Sequence, residues 1–225
     1  MGRVVALVAA RNEAGRVRQT VEAIRRIEVV DEIVVVNGSS SDGTPREAWA
    51  AGARVIRAPR AGGKGRALEG ALAHLEPADL YLFLDADLGP TAEEGGILLQ
   101  EVSSGRADLA IGVLPPDPRH GGFGLVKRLA TSVIRAECGF RAREPLSGQR
   151  ALRREVLDAV RPLATGFGVE VGMTVDAVRA GFRVGEVPVA MIHLPTGRDL
   201  AGFIHRARQG WDVLAAAAPR LGPRR

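Results

Sequence analysis

The sequence is poor in aromatic residues and cysteine. Phe, Trp and Tyr make up 4% of the chain, too few to suggest a stacking platform for single-stranded nucleic acid. We therefore expect no nucleic-acid partner. The one cysteine, Cys138, excludes a disulfide or a cysteine-based metal site within the chain. A reducing, cytoplasmic compartment is the natural prediction.

Long hydrophobic runs are also missing. No stretch approaches the ~20 apolar residues of a membrane span, and the apolar run that follows Met1-Gly2-Arg3 is too short for a signal peptide. These absences favour a cytoplasmic protein. Contact of the C-terminal helix with the inner face of the membrane stays open, because Arg198, Arg206 and Arg208 accompany Phe203 and Trp211 there.

Lysine is nearly absent, and arginine supplies the positive charge. Lys64 and Lys127 are the two lysines in a chain with a net charge of +5. Arginine binds phosphates and carboxylates with two parallel hydrogen bonds. The excess suits an anionic substrate or membrane surface, although solvated arginine faces would explain it equally well.

Short apolar runs alternate with helical patterns in the first half of the chain. Strands are predicted at 4–10, 32–36, 54–58, 80–84 and 109–113, and helices at 14–28, 44–51, 64–75 and 91–104. Continuous β-branched runs are typical of parallel strands that are covered on both faces. The alternation predicts an α/β fold with a doubly wound, mainly parallel central sheet flanked by helices.

The pattern changes after Val113. A Pro- and Gly-rich loop at 114–124 precedes predicted helices at 124–138, 152–160 and 167–180, a strand at 183–189 and a helix at 198–218. The 225 residues suit a single domain at 1–218. It has a nucleotide-binding half at 1–113, an acceptor-side half at 114–218 and a frayed tail at 219–225.

Polar or glycine-rich clusters follow four of the predicted strands. Parallel strands end at the same sheet edge, where open α/β sheets bind ligands. The convergence indicates one site more strongly than any single cluster does. The clusters are Ala10-Arg11-Asn12-Glu13, Asn37-Gly38-Ser39-Ser40-Ser41-Asp42-Gly43-Thr44, Gly62-Gly63-Lys64-Gly65 and Asp85-Ala86-Asp87.

Two of these clusters have chemistry of their own. Asp85 and Asp87 follow a buried strand, and Mg²⁺ or Mn²⁺ bridging to substrate phosphates would offset their repulsion. The glycines around Lys64 let a backbone approach a phosphate at a helix N-terminus. Taken alone, either cluster is equally typical of a helix cap or a turn.

Two residues of the second half are further candidates. His193 follows the last predicted strand and becomes a third metal ligand if that strand brings it to the aspartates. Otherwise it is a solvated loop residue. Glu170 is a carboxylate within an apolar helical segment, so it is an unpaired core residue, a residue paired with arginine, or a group that faces the site.

Together these segments resemble the family 2 glycosyltransferases of the GT-A fold, especially the polyprenyl-phosphate sugar synthases. Arg11-Asn12-Glu13 is similar to the family's first-strand ending, and residues 37–44 to its aspartate–glycine–serine turn. Gly63-Lys64-Gly65, Asp85-Ala86-Asp87 and Ser147-Gly148-Gln149-Arg150 match its later motifs in order.

The resemblance implies a role for each matched residue. Asp85, Asp87 and His193 would hold Mg²⁺ or Mn²⁺. Lys64, Arg150 and Glu170 would be catalytic, and Ser147, Gly148, Gln149 and Arg150 would bind the acceptor. The nucleotide would be bound by Ala10, Arg11, Asn12, Glu13, Asn37, Ser39, Asp42, Gly63, Lys64, Asp85 and Ala86.

The sequence departs from the family's pattern at three points. Asn37 and Gly38 replace two consecutive aspartates, and Gly89 stands where polyprenyl-phosphate relatives often have glutamine. A Glu-Asp base motif is not clear, so inverting and retaining chemistry both stay open. The sugar, base, acceptor and oligomeric state, a homodimer included, are not specified by any of these motifs.

We therefore expect a metal-dependent glycosyltransferase that moves a sugar from a nucleoside-diphosphate sugar to an acceptor, with a polyprenyl phosphate or a small phospho-acid as candidates. A nucleotidyltransferase is the alternative enzyme, but its glycine-rich loop would directly follow strand one, where residues 9–13 have none. A non-catalytic basic binding domain would explain the arginines but not the paired aspartates.

Overall fold

The structure is a computed structural model that describes residues 2–58, 62–116, 124–165 and 168–194. The helix predicted at 198–218 and the tail at 219–225 lie outside these residues, as does most of the loop predicted at 114–124. Within them, seven strands and seven α-helices follow each other along the chain.

The strands are β1 Val4–Ala10, β2 Glu32–Asn37, β3 Arg54–Arg57, β4 Leu80–Asp85, β5 Leu109–Val113, β6 Arg150–Arg153 and β7 Val184–Pro188. The helices are α1 Val17–Ile24, α2 Thr44–Ala50, α3 Gly63–Leu72, α4 Gly95–Ser103, α5 Gly124–Cys138, α6 Arg154–Val160 and α7 Val169–Arg179. A 3-10 helix, Gly89–Glu94, precedes α4.

One seven-stranded sheet joins both predicted halves of the chain, in the order β3-β2-β1-β4-β6-β5-β7. All neighbouring strands are parallel except β6, which is antiparallel to both β4 and β5. The predicted α/β class, with a mainly parallel sheet flanked by helices, is confirmed.

Strand β6 was missed by the sequence analysis, which placed a helix from 152 onward. Its four residues, Arg-Ala-Leu-Arg, are too few and too charged at their ends to show a strand pattern. They are extended because β4 and β5 supply hydrogen-bonding partners on both sides. The helix itself, α6, begins only at Arg154.

The apolar runs fill two cores, one on each face of the sheet. Val4, Ala6 and Val8 of β1 belong to the core beneath α1 and α4. Val5 and Leu7 belong to the opposite core, beneath α3, α6 and α7. A strand that is buried on both faces needs a continuous apolar run, which is why the first strand could be placed correctly from the sequence.

The register brings the predicted site segments to one sheet edge. Ala9 of β1 pairs with Asp85 of β4, and Ala10 pairs with Asn37 of β2. The segments that follow these three strands therefore begin side by side. Among the described residues, no helix combines the length and apolarity that crossing a membrane requires.

Helix α3 is crossed closely by the segment that leads from α6 to α7. Leu163 N donates to Glu69 Oε2 at 3.0 Å, and a Cβ on Gly65 would lie 1.7 Å from the Ala164 carbonyl oxygen. Because backbone cannot yield as a side-chain tip does, this crossing requires glycine at position 65.

Gly65→Ala is expected to lower the free energy of unfolding by about 3 kcal/mol, because the added methyl displaces this crossing. Gly96→Ala is the matched control. Its Cβ would meet Ile27 at an ordinary 3.6 Å, so the loss of backbone entropy in the unfolded chain should stabilise it by about 0.5–1 kcal/mol. Urea unfolding measures both, and equal stabilities would contradict the prediction.

Candidate active site

Two neighbouring segments at the sheet edge, residues 10–15 after β1 and residues 37–47 after β2, are joined by hydrogen bonds. Gly38 N donates to the Ala10 carbonyl at 2.8 Å. The side chain of Asn12 accepts from Ser41 N at 3.0 Å. The second segment thus holds the first in place without the help of a ligand.

Four consecutive N–H groups of the first segment donate to side chains of the second. The polar side chains of the second segment are therefore already engaged in hydrogen bonds within the protein. The bonds run from Asn12 N to Ser40 Oγ at 3.0 Å, from Glu13 N to Thr44 Oγ1 at 2.8 Å, from Ala14 N to Asp42 Oδ2 at 3.1 Å and from Gly15 N to Glu47 Oε2 at 2.7 Å.

The predicted nucleotide ligands of these segments thus have internal partners. Asn37 Oδ1 accepts from Ser40 N at 3.0 Å, and Ser39 Oγ donates to the Ala58 carbonyl at 3.2 Å. Asp42 also bonds to Thr44 N and to the Thr44 hydroxyl. Because of these bonds the pKa of Asp42 is lowered, although its slight burial acts in the opposite direction. Arg11, by contrast, is exposed at the edge.

Glu13 faces the aspartate pair. Its carboxylate forms an ion pair with Arg16 at 2.6 Å. Burial and the negative charge of Asp87 raise the pKa of Glu13 to about 7, against the lowering effect of Arg16, and Asp85 raises it further. Three carboxyl groups are therefore close enough to repel one another at this edge.

Lys64 connects three elements. Its Nζ donates to Asp85 Oδ1 at 2.7 Å and to Glu170 Oε1 at 2.9 Å. Burial alone would lower the pKa of Lys64, but these two carboxylates raise it above its usual value, so the ammonium is charged at neutral pH. A Cβ on Gly148 would lie 2.5 Å from Nζ and 2.7 Å from Asp85 Oδ2; glycine there leaves room for the pair.

Asp85 is held from two sides. Gln149 Nε2 donates to Asp85 Oδ2 at 2.7 Å, and Asp85 N donates back to Gln149 Oε1 at 3.0 Å. Burial would raise the pKa of Asp85, but the charges of Lys64 and His193 and these bonds lower it. Both carboxylate oxygens of Asp85 thus accept a short hydrogen bond. Gln149, predicted to bind the acceptor, is buried behind Asp85.

Asp87 and His193 are neighbours, as expected if the last strand reaches the site. His193 Nδ1 lies 2.9 Å from Asp87 Oδ1, and Leu194 N donates to the Asp87 carbonyl at 2.8 Å. Although burial would lower the pKa of His193, its bond to Asp87 and the charges of both aspartates raise it. The segment after β7 therefore reaches the aspartate turn.

The aspartate turn is itself bracketed by Thr20 of α1. Thr20 Oγ1 donates to the carbonyl of the buried Ala86 at 2.8 Å and accepts from Gly89 N at 2.9 Å. Thr20 was not singled out by the sequence analysis, nor was Glu47. Each is a polar residue within a helical pattern, and only tertiary contact distinguishes it from a solvated helix residue.

Arg150 and Glu170 lie behind Lys64. The Arg150 guanidinium is 1% exposed and donates to the Ser147 carbonyl at 2.9 Å and to Thr174 Oγ1 at 3.0 Å. Burial lowers its pKa to about 10, against the charges of Glu170 and Glu186. Lys64 and Arg150 thus balance Asp85 and Glu170, and the wall around them is apolar, formed by Leu68, Phe83, Val169 and Met173.

The donor set at the edge fits a divalent cation. The described residues contain no group of three His, Cys, Asp or Glu side chains arranged around one point as metal ligands. Nevertheless, Asp87 and His193 combine a carboxylate with an imidazole, a pair that suits Mn²⁺. The carboxyl repulsion seen at Glu13 is the charge excess that a cation would offset. Asp85 has less free capacity, since both its oxygens are bonded.

Comparison with known proteins identifies a matching family and its relatives. The family model described as "Glycosyl transferase family 2" matches residues 5–161. Glucosyl-3-phosphoglycerate synthase of Mycobacterium tuberculosis (strain ATCC 25618 / H37Rv) is 32% identical over 219 residues, covering 86% of this chain and 65% of the relative. The synthase of Mycolicibacterium smegmatis is 33% identical over 249 residues, covering 98% and 78%. This chain thus spans less than two thirds of the length of several curated relatives.

Solved structures of the M. tuberculosis synthase are similar over the whole chain. The complex with Mn²⁺, uridine diphosphate and phosphoglyceric acid gives a TM-score of 0.81 at 27% identity, covering 100% of this chain and 80% of that one. The complex with Mg²⁺ and uridine diphosphate gives 0.82 at 28% identity, covering 100% and 81%.

The raised pKa of Glu13 predicts a pH effect on the metal-free protein. A carboxyl whose pKa rises from 4.5 to about 7 on folding binds more protons when folded, so its contribution to stability falls as pH rises from 4.5 through 7. Glu13→Gln removes this loss. Unfolding in EDTA at pH 5 and pH 8 should show the variant gaining stability relative to wild type at pH 8. A parallel pH dependence of both proteins would contradict the prediction.

Proposed function

The chain belongs to glycosyl transferase family 2, and on that premise we propose that it transfers a hexosyl group from a nucleoside-diphosphate sugar to a small phosphorylated acid, with Mg²⁺ or Mn²⁺. The observation that supports this most directly is the pairing of Asp87 with His193 beside the Lys64–Asp85–Glu170 network. The relatives named for glucosyl-3-phosphoglycerate synthesis suggest glucose and a phosphoglycerate.

Asp87 and His193 would hold the cation, with Asp85 adding negative charge beside them. When bound, the cation stabilises the charge that develops on the leaving diphosphate. The protein's own part is orientation. Leu194 N and Thr20 fix the aspartate turn, so that the two ligands are preorganised at the sheet edge.

Lys64 supplies a fixed positive charge to the donor. An ammonium has three N–H groups, and two are used by Asp85 and Glu170. The third is available to a phosphate or sugar oxygen. Because both carboxylates hold the ammonium in place, it can stabilise charge on the donor without reorganising. Arg150 is buried behind this network, so we assign it to supporting Glu170 rather than to touching substrate.

The nucleotide would lie along the ends of β1 and β2. Arg11 is the exposed cation there, and Glu13 is within reach of the ribose side of the site. Because the N–H groups of residues 12, 13, 38 and 39 are bonded within the protein, backbone contacts to the nucleotide would come from carbonyl groups at this edge and from Gly63 at the start of α3. The departures at Asn37 and Gly38 leave no carboxylate at those positions, which points to base recognition by backbone and Arg11.

The sugar and acceptor would meet between Gly148 and Glu170. Gly148 presents backbone next to Lys64, while Gln149 and Arg150 face inward. An acceptor hydroxyl needs a base, and Glu170, bonded to Lys64, is the carboxylate that we assign to this role. A phosphate acceptor would need no such base, because it is already an anion. Membrane contact and a homodimer remain predictions, for liposome co-sedimentation and light scattering to test.

The metal assignment predicts different outcomes for the two aspartates. UDP with Mn²⁺ should raise the melting temperature of the wild type, and Asp87→Ala should lose the metal-dependent part. Asp85→Asn should retain more of it, since Asp85 is bonded to Lys64 and Gln149. Thermal-shift screening of UDP, GDP, CDP and dTDP, with and without Mn²⁺, gives the measurement. A larger loss in Asp85→Asn than in Asp87→Ala would reverse the assignment.

The reaction is tested by product analysis with UDP-glucose, Mn²⁺ and 3-phosphoglycerate. Released UDP together with a glucosylated phospho-acid supports the proposal. Glucose transfer only to a polyprenyl phosphate would move the acceptor to the lipid class. Released pyrophosphate from a nucleoside triphosphate and a sugar phosphate would instead support a nucleotidyltransferase.

Glu170→Gln is expected to slow transfer to a hydroxyl acceptor by about 10²-fold, through loss of a base and of one negative charge beside Lys64. Stabilisation by UDP and Mn²⁺ should remain within error of wild type, because Asp87 and His193 are untouched. Single-turnover rates and the thermal shift separate the two effects. A full transfer rate would remove Glu170 from the mechanism.

A further inference from the structure

We propose that Thr44 and Asp42 are positioning residues for donor binding: they hold residues 11–15 in the shape that receives the nucleotide and do not contact it. The inference rests on the proposed function. It assigns Asp42, which sequence reasoning placed among the nucleotide ligands, to a different role. It also adds Thr44, the last residue of the polar cluster that follows β2.

Thr44 and Asp42 form a hydrogen-bonded pair, here called the relay, beneath the segment at residues 10–15. Thr44 is fully buried, and its hydroxyl accepts from Glu13 N and donates to Asp42 Oδ1. The other oxygen of Asp42 accepts from Ala14 N. One hydroxyl and one carboxylate therefore satisfy two consecutive N–H groups, which a short polar loop would otherwise turn toward water.

The segment held by the relay contains an uncommon backbone conformation. Asn12 has a φ of 58°, in the left-handed region that few residues other than glycine occupy, although asparagine enters it more readily than most. This residue lies between Arg11 and Glu13 and so determines the directions of both. Such a conformation persists only where the surroundings over-determine it, and the bonds to residues 40–47 are those surroundings.

The consequence reaches the aspartate pair through Glu13. Its amide is fixed by Thr44, and its carboxyl feels the charges of Asp87 and Asp85. Loosening the amide would let the segment leave this arrangement. The apparent donor affinity would then fall in proportion to the fraction of molecules that still have the competent loop.

A plain helix-capping role makes a different prediction. Asp42 Oδ1 does accept from Thr44 N at 3.1 Å, so both residues lie at the start of α2. Capping alone would lower stability and leave donor affinity unchanged. Donor affinity at matched stability is therefore the quantity that distinguishes the two roles.

The test compares Thr44→Val with Thr44→Ser. Valine keeps the shape and removes the hydroxyl, whereas serine keeps the hydroxyl. We expect Thr44→Val to raise the Kd for UDP with Mn²⁺ and the KM for the donor about tenfold, with kcat within about twofold of wild type. Thr44→Ser should restore both constants. Calorimetry with UDP and steady-state kinetics give these values, and Asp42→Asn provides an independent break of the relay at an exposed residue.

Val102→Ala is the stability control. Val102 is a buried residue of α4, away from the nucleotide edge, so its loss should lower the melting temperature without changing the Kd for UDP. An unchanged Kd in both Thr44→Val and Asp42→Asn, with wild type binding UDP, overturns the inference alone. Failure of wild type to bind any nucleotide overturns the proposed function and the inference with it.

Discussion

The site depends on the charge balance around Lys64. Its ammonium lies between Asp85 of β4 and Glu170 of α7, while Lys64 itself belongs to α3. An isolated buried charge would be too costly to keep, so each of these three elements requires the other two in place. Arg150, buried behind Glu170, completes two cations against two carboxylates. The chain thus holds these four charged groups beside an apolar wall, while Asp87 lies further out toward the sheet edge.

That division explains why the two aspartates are not equivalent, although they are two residues apart on one turn. Asp85 ends β4 and points to Lys64 and Gln149, so its charge is already compensated. Asp87 lies one step further out, and among the described residues its side chain is hydrogen-bonded to His193. Under the proposed function, a cation at this edge would therefore meet a less compensated carboxylate at Asp87, with the compensated Asp85 as the inner boundary of the site.

Sequence reasoning predicted the parts of this structure that depend on local pattern. The first and fifth strands, the clusters that follow strands at one edge, and the approach of His193 to the aspartates could all be inferred from apolar runs and strand order. Strand β6 could not, because Arg150–Arg153 is extended only through its pairing with β4 and β5. Gln149 and Arg150 lie at the start of that strand and face inward, an orientation that the family resemblance used to assign them to the acceptor does not reveal.

The polar turn after β2 illustrates a second limit. Ser40, Asp42 and Thr44 have the composition of a ligand-binding turn and also that of a helix cap, and composition cannot separate these roles. The structure shows a third use, in which they accept N–H groups from a segment about thirty residues earlier. Asn12 lies in the left-handed region within that segment, and those bonds help to hold it there. If Thr44 and Asp42 have the positioning role proposed above, donor recognition depends on the fit between the two loops rather than on either loop alone.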